Sequence, residues 1–252
     1  MTQPMPPTHG TFRAGTSGLV LREPNKQAFP DEHKQKTRLG YYATLFNTIE
    51  INSSFYKPPL PVTFTKWSHM VPDDFQFTIK LWRDITHARG FTFSSIDIAR
   101  FMKAAANLGK KKGCLLIQLP PSVTKAKIGP LTQLIEEVRT TGPGWRLAVE
   151  FRDKSWYNED TWQLLDAFNT TLVLHDMPSS SIRTPLDNAP FIYIRFHGIK
   201  GDYKGSYDQP HLREYAEKIG TWLGQGKDVY TYFNNTIGEA VANLETLLSL
   251  VS

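Results

Sequence analysis

Short runs of apolar, β-branched and aromatic residues alternate along this 252-residue chain with stretches whose apolar residues recur every three to four positions. A period near two followed by a period near 3.6, repeated many times, is the pattern of parallel strands returned by helices packed on their sheet. Eight strand candidates begin near Phe12, Ile49, Phe75, Cys114, Arg146, Thr171, Phe191 and Asp228. The clearest helical stripes are Leu39, Tyr42, Ala43 and Phe46; Ile98, Phe101, Met102 and Ala105; Leu131, Leu134, Ile135 and Val138; and Leu212, Tyr215, Ala216 and Ile219. Eight such units in a chain of this length predict one α/β domain, a single (β/α)8 (TIM) barrel over 12–252.

Punctuation agrees with that reading. Pro130 and Pro210 suit first helical turns, Asn158 before Glu159 and Asp160 suits an N-terminus, and Gly109 and Gly142 suit helix ends. The sixth crossover is the irregular one, because Met177 to Pro190 is rich in Ser and Pro and too broken for a full helix. Residues 1–11, with three prolines among the first ten, read as a disordered N-terminal tail.

Composition excludes several classes. With 40% hydrophobic and 21% charged residues the chain is neither disordered, collagenous nor disulfide-built. Cys114 is the single cysteine and lies in an apolar run, so it reads as a small core residue and not as part of a disulfide or zinc site. No apolar run reaches the length of a membrane helix and the N-terminus lacks a secretory pattern, so the expected location is cytoplasmic, without a membrane partner. The net charge of +5 favours anionic ligands only weakly, since clusters such as Lys110 to Lys112 near a helix end would produce it.

Strand parity carries more information. Glu50 and Asn52 alternate with isoleucines; Thr78 and Lys80 alternate with Phe77 and Ile79; Gln118 lies between Ile117 and Leu119; Glu150 and Arg152 flank Phe151; Arg195 and His197 flank Phe196; Asn234 follows Phe233. In a barrel one face of each strand looks inward, and the polar set is the inward one. Barrel interiors are mainly Val, Ile and Leu, and an unpaired buried charge is costly, so charges at several strand ends need a reason. A self-satisfied ion-pair network is one reason; a ligand site at the C-terminal ends of the strands is the other, and the whole ring favours it.

The loops that follow carry Phe55, Tyr56, Trp82, His87, Phe91, Trp156, Tyr203 and Tyr207, an aromatic set suited to sugar rings or nucleobases. Asp176 closes the sixth strand, and Asn234, Asn235 and Thr236 run toward a helix start that suits an anion, although N-capping alone explains them.

Five strings resemble the YecE-like family, domain of unknown function DUF72. They are Glu50 to Tyr56 (EINSSFY) with Pro58, Gln118 to Pro121 (QLPP), Glu150 to Trp156 (EFRDKSW), Arg195 to Gly198 (RFHG) and Tyr232 to Asn235 (YFNN). The resemblance runs from about Arg13 to Leu248. It implies a TIM barrel of the broad xylose-isomerase-like and endonuclease-IV-like class, with these strand-end residues around a shared pocket, and it implies no established activity. After Gly15 to Gly18 the family usually places an aromatic residue, often tryptophan, where this chain has Leu19, Val20 and Leu21. The first loop is therefore expected to be shaped for a different ligand.

The resulting expectation is an enzyme of unassigned reaction that binds an anionic, phosphate- or carboxylate-bearing sugar or nucleotide. Glu50 and Glu150 serve as acid and base, with Lys80 and His197 as further catalytic candidates. Asn52, Tyr56, Gln118, Arg152, Trp156, Asp176, Arg195, Tyr207, Asn234 and Asn235 bind the substrate. No cofactor and no metal site is expected. Two alternatives stay open: a divalent-metal phosphoesterase acting on nucleic acid, with Glu50, Glu150, Asp176 and His197 or His175 as ligands, and a non-catalytic binder of nucleic acid or an anion. Mixing two carboxylates with Lys80 and two arginines argues against the metal. Oligomeric state is not legible.

Overall fold

A computed structural model describes residues 9–251. Nine strands are present among them: β1 (Phe12–Thr16), β2 (Thr48–Ile51), β3 (Gln76–Lys80), β4 (Lys112–Gln118), β5 (Arg146–Glu150), β6 (Thr171–Leu172), β7 (Leu174–His175), β8 (Ile192–Phe196) and β9 (Val229–Phe233). Every strand pair is parallel. One sheet has the order β1-β9-β8-β7 and the other β2-β3-β4-β5-β6. The fold is therefore mixed α/β with parallel sheets, and each expected strand start lies within two residues of an observed one.

The ladders do not run continuously from one sheet to the other. Val173 separates β6 from β7, and its N–H bonds to Val149 O of β5 at 2.9 Å, so the break between the two sheets falls at this residue. Between β1 and β2 the only strand bridge among the described residues is Ser17 to Glu50. Tyr42 spans the rest of that seam: Thr16 N–H donates to its hydroxyl at 2.8 Å, and the hydroxyl donates to Thr48 O at 3.2 Å. Gly15 leaves room for this, since a Cβ there would lie 2.1 Å from Thr48 O and 2.9 Å from the Tyr42 hydroxyl.

The helices are α1 (Arg38–Leu45), α2 (Ser53–Tyr56), α3 (Pro61–His69), α4 (Arg83–Thr86), α5 (Ser95–Ala105), α6 (Ile128–Thr141), α7 (Glu159–Ala167), α8 (Gln209–Gly224) and α9 (Ala240–Val251). The four expected apolar stripes are the buried faces of α1, α5, α6 and α8. Asn158 caps α7 by accepting from Thr161 N–H, and Gly142 ends α6. No helix occupies 177–190, as the sequence predicts. Of the expected tail, residues 1–8 lie outside the described residues; Gly10 N–H bonds to Leu223 O and Thr11 N–H to Asp228 Oδ1. Ser252, the last residue assigned to the domain, also lies outside them. Among the described residues no helix is long and apolar enough to cross a membrane.

Polar ties cross the space between the sheets in layers. At the N-terminal ends Arg146 pairs with Asp228 at 2.9 Å and the Tyr230 hydroxyl donates to Gln76 at 2.5 Å. One layer up, the Tyr232 hydroxyl meets Thr48 Oγ1 at 2.8 Å and Thr78 Oγ1 at 2.7 Å. Cys114, Leu116, Ala148 and Val173 fill the same space, which makes Cys114 the buried core residue its setting in the sequence predicts. The charged layer lies above these, at the C-terminal strand ends.

Gly15→Ala is expected to destabilise the protein by about 3 kcal/mol, the upper range for overpacking, because the new methyl must part β1 from β2. Urea unfolding of wild type and variant measures it; equal midpoints would show that the seam yields freely.

Candidate functional site

Arg195, on β8, enters the space between the sheets and is 1% exposed. Its Nη2 donates to Glu50 Oε1 at 2.8 Å and its Nη1 to Glu150 Oε2 at 2.5 Å, so one guanidinium joins β2 to β5. Both carboxylates are fully buried, and a charge in such a place persists only when its oxygens are paired. The Tyr193 hydroxyl donates to Glu50 Oε2 at 2.5 Å, the Ser17 hydroxyl donates to Glu50 Oε1, and the Arg152 guanidinium donates to Glu150 Oε1. Burial alone would raise the Glu150 pKa; Arg152 and Arg195 outweigh it and hold Glu150 well below the ordinary carboxylate range. Burial likewise pushes the Arg195 pKa down, but Glu150 and Glu50 raise it, so Arg195 stays charged.

His197 supports both arginines from behind. Its Nε2 lies 2.9 Å from Arg152 Nη2 and 3.2 Å from Arg195 Nη1, so that nitrogen accepts and the ring proton belongs on Nδ1, 3.2 Å from Asp176 Oδ1. Burial lowers the His197 pKa against the opposing pull of Asp176 and Glu150, consistent with a neutral ring. Asp176 also accepts the His197 backbone N–H at 2.8 Å and the Tyr207 hydroxyl, which in turn accepts Gly198 N–H at 2.6 Å. Each group orients the next, ending at the guanidinium of Arg152.

Above this layer is a cleft of about 270 Å³ lined by Ser17, Asn52, Phe55, Tyr56, Lys80, Gln118, Arg152, Arg195, Tyr203, Asn234, Thr236 and Ile237. Among the described residues no carboxylate lines it. Lys80 donates to Gln118 Oε1 at 2.8 Å and lies 3.9 Å from the Phe55 ring centre. Burial, then Arg195, brings its pKa down to about 8. Glu50, Glu150 and, behind His197, Asp176 balance Lys80, Arg152 and Arg195 when Lys80 is protonated, with the cations on the cleft side and the carboxylates beneath.

Of the residues expected to bind or act, Asn52, Tyr56, Lys80, Gln118, Arg152, Arg195 and Asn234 come together around the cleft. Glu50, Glu150 and His197 lie beneath it with no exposed surface, and Asp176 and Tyr207 lie behind His197. Trp156 is placed elsewhere. Its ring is fully buried, stacks on Phe151 at 4.6 Å and donates to Val123 O at 2.7 Å, because the loop after β5 folds back over the outward face of its own strand. Asn235 is also out of reach, donating to Gly205 O and Asn243 Oδ1, each at 3.0 Å, and so tying loops together. Ser17 and Tyr193 were not singled out by sequence. Tyr193 shares the parity of Arg195, which would have identified it, whereas Ser17 follows its strand, where alternation no longer applies.

The residues do not form a metal donor set. The Arg195 guanidinium fills the position between Glu50 and Glu150 that a divalent cation would need, and Asp176 is committed to His197 and Tyr207. His175, the alternative ligand, has its Nε2 3.1 Å from Phe151 O. Among the described residues no three His, Cys, Asp or Glu side chains converge as metal ligands.

Comparison with known proteins adds lineage to this geometry. The family described as "Protein of unknown function DUF72" matches residues 13–252. The UPF0759 protein YunF of Bacillus subtilis (strain 168) is 25% identical, with 93% of each chain covered. The UPF0759 protein YecE of Escherichia coli (strain K12) is 25% identical over 48% of this chain and 43% of its own. Among solved structures, a DUF72 family protein from Thermotoga maritima MSB8 superposes with a TM-score of 0.78 at 24% identity, covering 96% of this chain and 99% of that one. Another from Enterococcus faecalis V583 gives 0.77 at 20% identity, covering 97% and 98%. At these identities the structural likeness speaks for the fold alone.

Glu150→Gln is expected to cost about 3–5 kcal/mol at neutral pH, the range for breaking a buried pair. A depressed carboxylate contributes stability above its unfolded-state pKa near 4.5 and loses it as pH falls through the lower folded-state value. The gap between wild type and variant should therefore be constant from pH 7 to about 5 and close below about 4.5. Denaturant titrations across that range check it; a gap independent of pH would contradict the assigned ionisation.

Proposed function

This chain belongs to the DUF72 family of proteins of unknown function, and from its cleft we propose that it binds a small anionic molecule bearing phosphate or carboxylate. One observation carries the reading: Lys80, Arg152 and Arg195 line the cleft while both glutamates lie beneath them, leaving positive charge toward a ligand. The Arg152 guanidinium, held by Glu150 and His197, is a preorganised donor that binds an anion with little further cost of ordering, while Arg195, whose Nη groups are engaged by Glu50, Glu150, Ser17 and His197, adds its charge. In this reading Glu50 and Glu150 act through the arginines they hold, and His197 and Asp176 orient Arg152.

If the site turns over its ligand, Lys80 is the group placed for proton transfer. It lines the cleft, and a pKa of about 8 lets it give and take a proton near neutral pH. A purely binding role shares the same anion affinity and differs in the absence of turnover. As to architecture, we propose that β6 and β7 are halves of one strand and that the two sheets form the wall of a (β/α)8 barrel. The Ser17 to Glu50 bridge and the single-residue gap at Val173 support this, and it would put the cleft where such barrels hold their sites.

Calorimetric titration with inorganic phosphate, between pH 7.5 and 9.5 so that the second phosphate pKa is already passed, tests the reading. Wild type should bind, with affinity falling by up to about tenfold per pH unit above pH 8 as Lys80 loses its proton. Lys80→Met should bind more weakly below pH 8 and lose most of the pH dependence. Absence of saturable binding by phosphate and by small carboxylates alike would overturn the proposal.

A further inference from the structure

We infer that the anion is the phosphate of a nucleoside phosphate, with its base held at the mouth of the cleft; the inference rests on the anion-binding reading above. The lining of the cleft is graded in exposure. Arg195, at the floor, is 1% exposed, Asn234 9%, Tyr203 37%, Tyr56 68% and Ile237 70%. Arg195, Ser17, Gln118, Phe55 and Asn234 are buried, Lys80, Arg152, Asn52 and Thr236 half-buried, and Tyr203, Tyr56 and Ile237 outermost. A cationic interior bearing hydroxyls and amides beneath an aromatic and apolar rim suits a nucleotide, whose phosphate and sugar are polar and whose base is planar.

The middle layer has an unused partner for such a sugar. Asn52 donates through Nδ2 to Ser17 Oγ at 2.8 Å, while its Oδ1 is buried without a hydrogen-bond partner. A buried acceptor left unpaired is costly, and a ligand hydroxyl donating to it would remove that cost.

The outer layer is rigid on one side. Tyr203 has φ 65°, a left-handed conformation uncommon outside glycine, and it is pinned there: its N–H bonds to His197 O at 2.8 Å and its carbonyl accepts Ile237 N–H at 3.0 Å. The loops carrying Tyr203 and Ile237 are locked to each other, since Glu239 N–H bonds to Gly205 O at 3.0 Å and a Cβ on Gly238 would lie 2.2 Å from that same oxygen. Strain maintained by its surroundings at a cleft mouth is characteristic of functional positions. Here it holds the Tyr203 ring edge-on to His197, centroids 5.9 Å apart, in a cleft also lined by Tyr56, which packs edge-on against Phe55 at 5.1 Å. At about 270 Å³ the cleft is at the small end of ligand sites. It suits a phosphate and sugar inside and a base stacked between the exposed lips.

The test compares ribose 5-phosphate with adenosine 5′-phosphate by calorimetry on the full chain. Wild type should bind the nucleotide at least about fivefold more tightly, the low end of a base–aromatic stack. Tyr203→Ala, and separately Tyr56→Ala at a largely exposed position, should bring that ratio close to one. A 5′-phosphorylated oligonucleotide distinguishes sources. Affinity matching the mononucleotide indicates a strand end and weaker affinity a free nucleotide, and both outcomes support the inference. Equal affinity for the two phosphates in wild type, or a ratio that neither substitution changes, overturns it and leaves the anion reading standing. Failure of both compounds and of inorganic phosphate to bind overturns the anion reading itself.

Discussion

The buried guanidinium of Arg195 is the constraint on which the upper half of this molecule depends. It comes from the four-stranded sheet and bonds two carboxylates of the five-stranded sheet, so the sheets are tied at their C-terminal ends by three charges that none of them could hold alone. Isolated charges in such a place would each cost several kcal/mol; together they are tolerated because nearly every lone pair and proton has a partner. One exception is Arg195 Nε, which is buried without a partner. A well-packed apolar layer can serve a fold as well as buried ion pairs, so the pairing alone is weak evidence of stability.

Consequences follow outward from that pairing. With the glutamates occupied, Arg152 is directed by Glu150 and His197 toward the cleft, and Lys80, hydrogen-bonded to Gln118, adds a further positive charge there. The same burial that makes the ion pairs strong lowers the Lys80 pKa to about 8. The cationic cleft and its near-neutral titrating group therefore have one physical origin: charges crowded where water is scarce.

Much of this was legible from the chain alone, and the reason is periodicity. Alternation marks Glu50, Lys80, Gln118, Glu150, Arg195 and Asn234 as facing one way, because a strand offers a side chain two faces and the apolar neighbours occupy one of them. Tyr193 obeys the same rule, although a tyrosine in an apolar run reads equally well as core. Trp156 failed for a different reason: it lies in a loop, where no period constrains direction, and its indole is captured by Phe151 and Val123. Ser17 also lies past the end of its strand, and only the approach of β2 makes it a partner of Glu50.

The sequence by itself determined the α/β class, the order of strands and helices, the irregular sixth crossover and the family, since each of these is written in local period, turn residues or ordered motifs. Tertiary structure alone decided the depth and partnership of the charges. Parity states that Glu50, Glu150 and Arg195 share an interior, but the distances among β2, β5 and β8 depend on how the sheets curve toward each other over 145 residues of separation. Those distances turned the two carboxylates from cleft-facing groups into the buried holders of two arginines, and so gave the cleft a cationic floor.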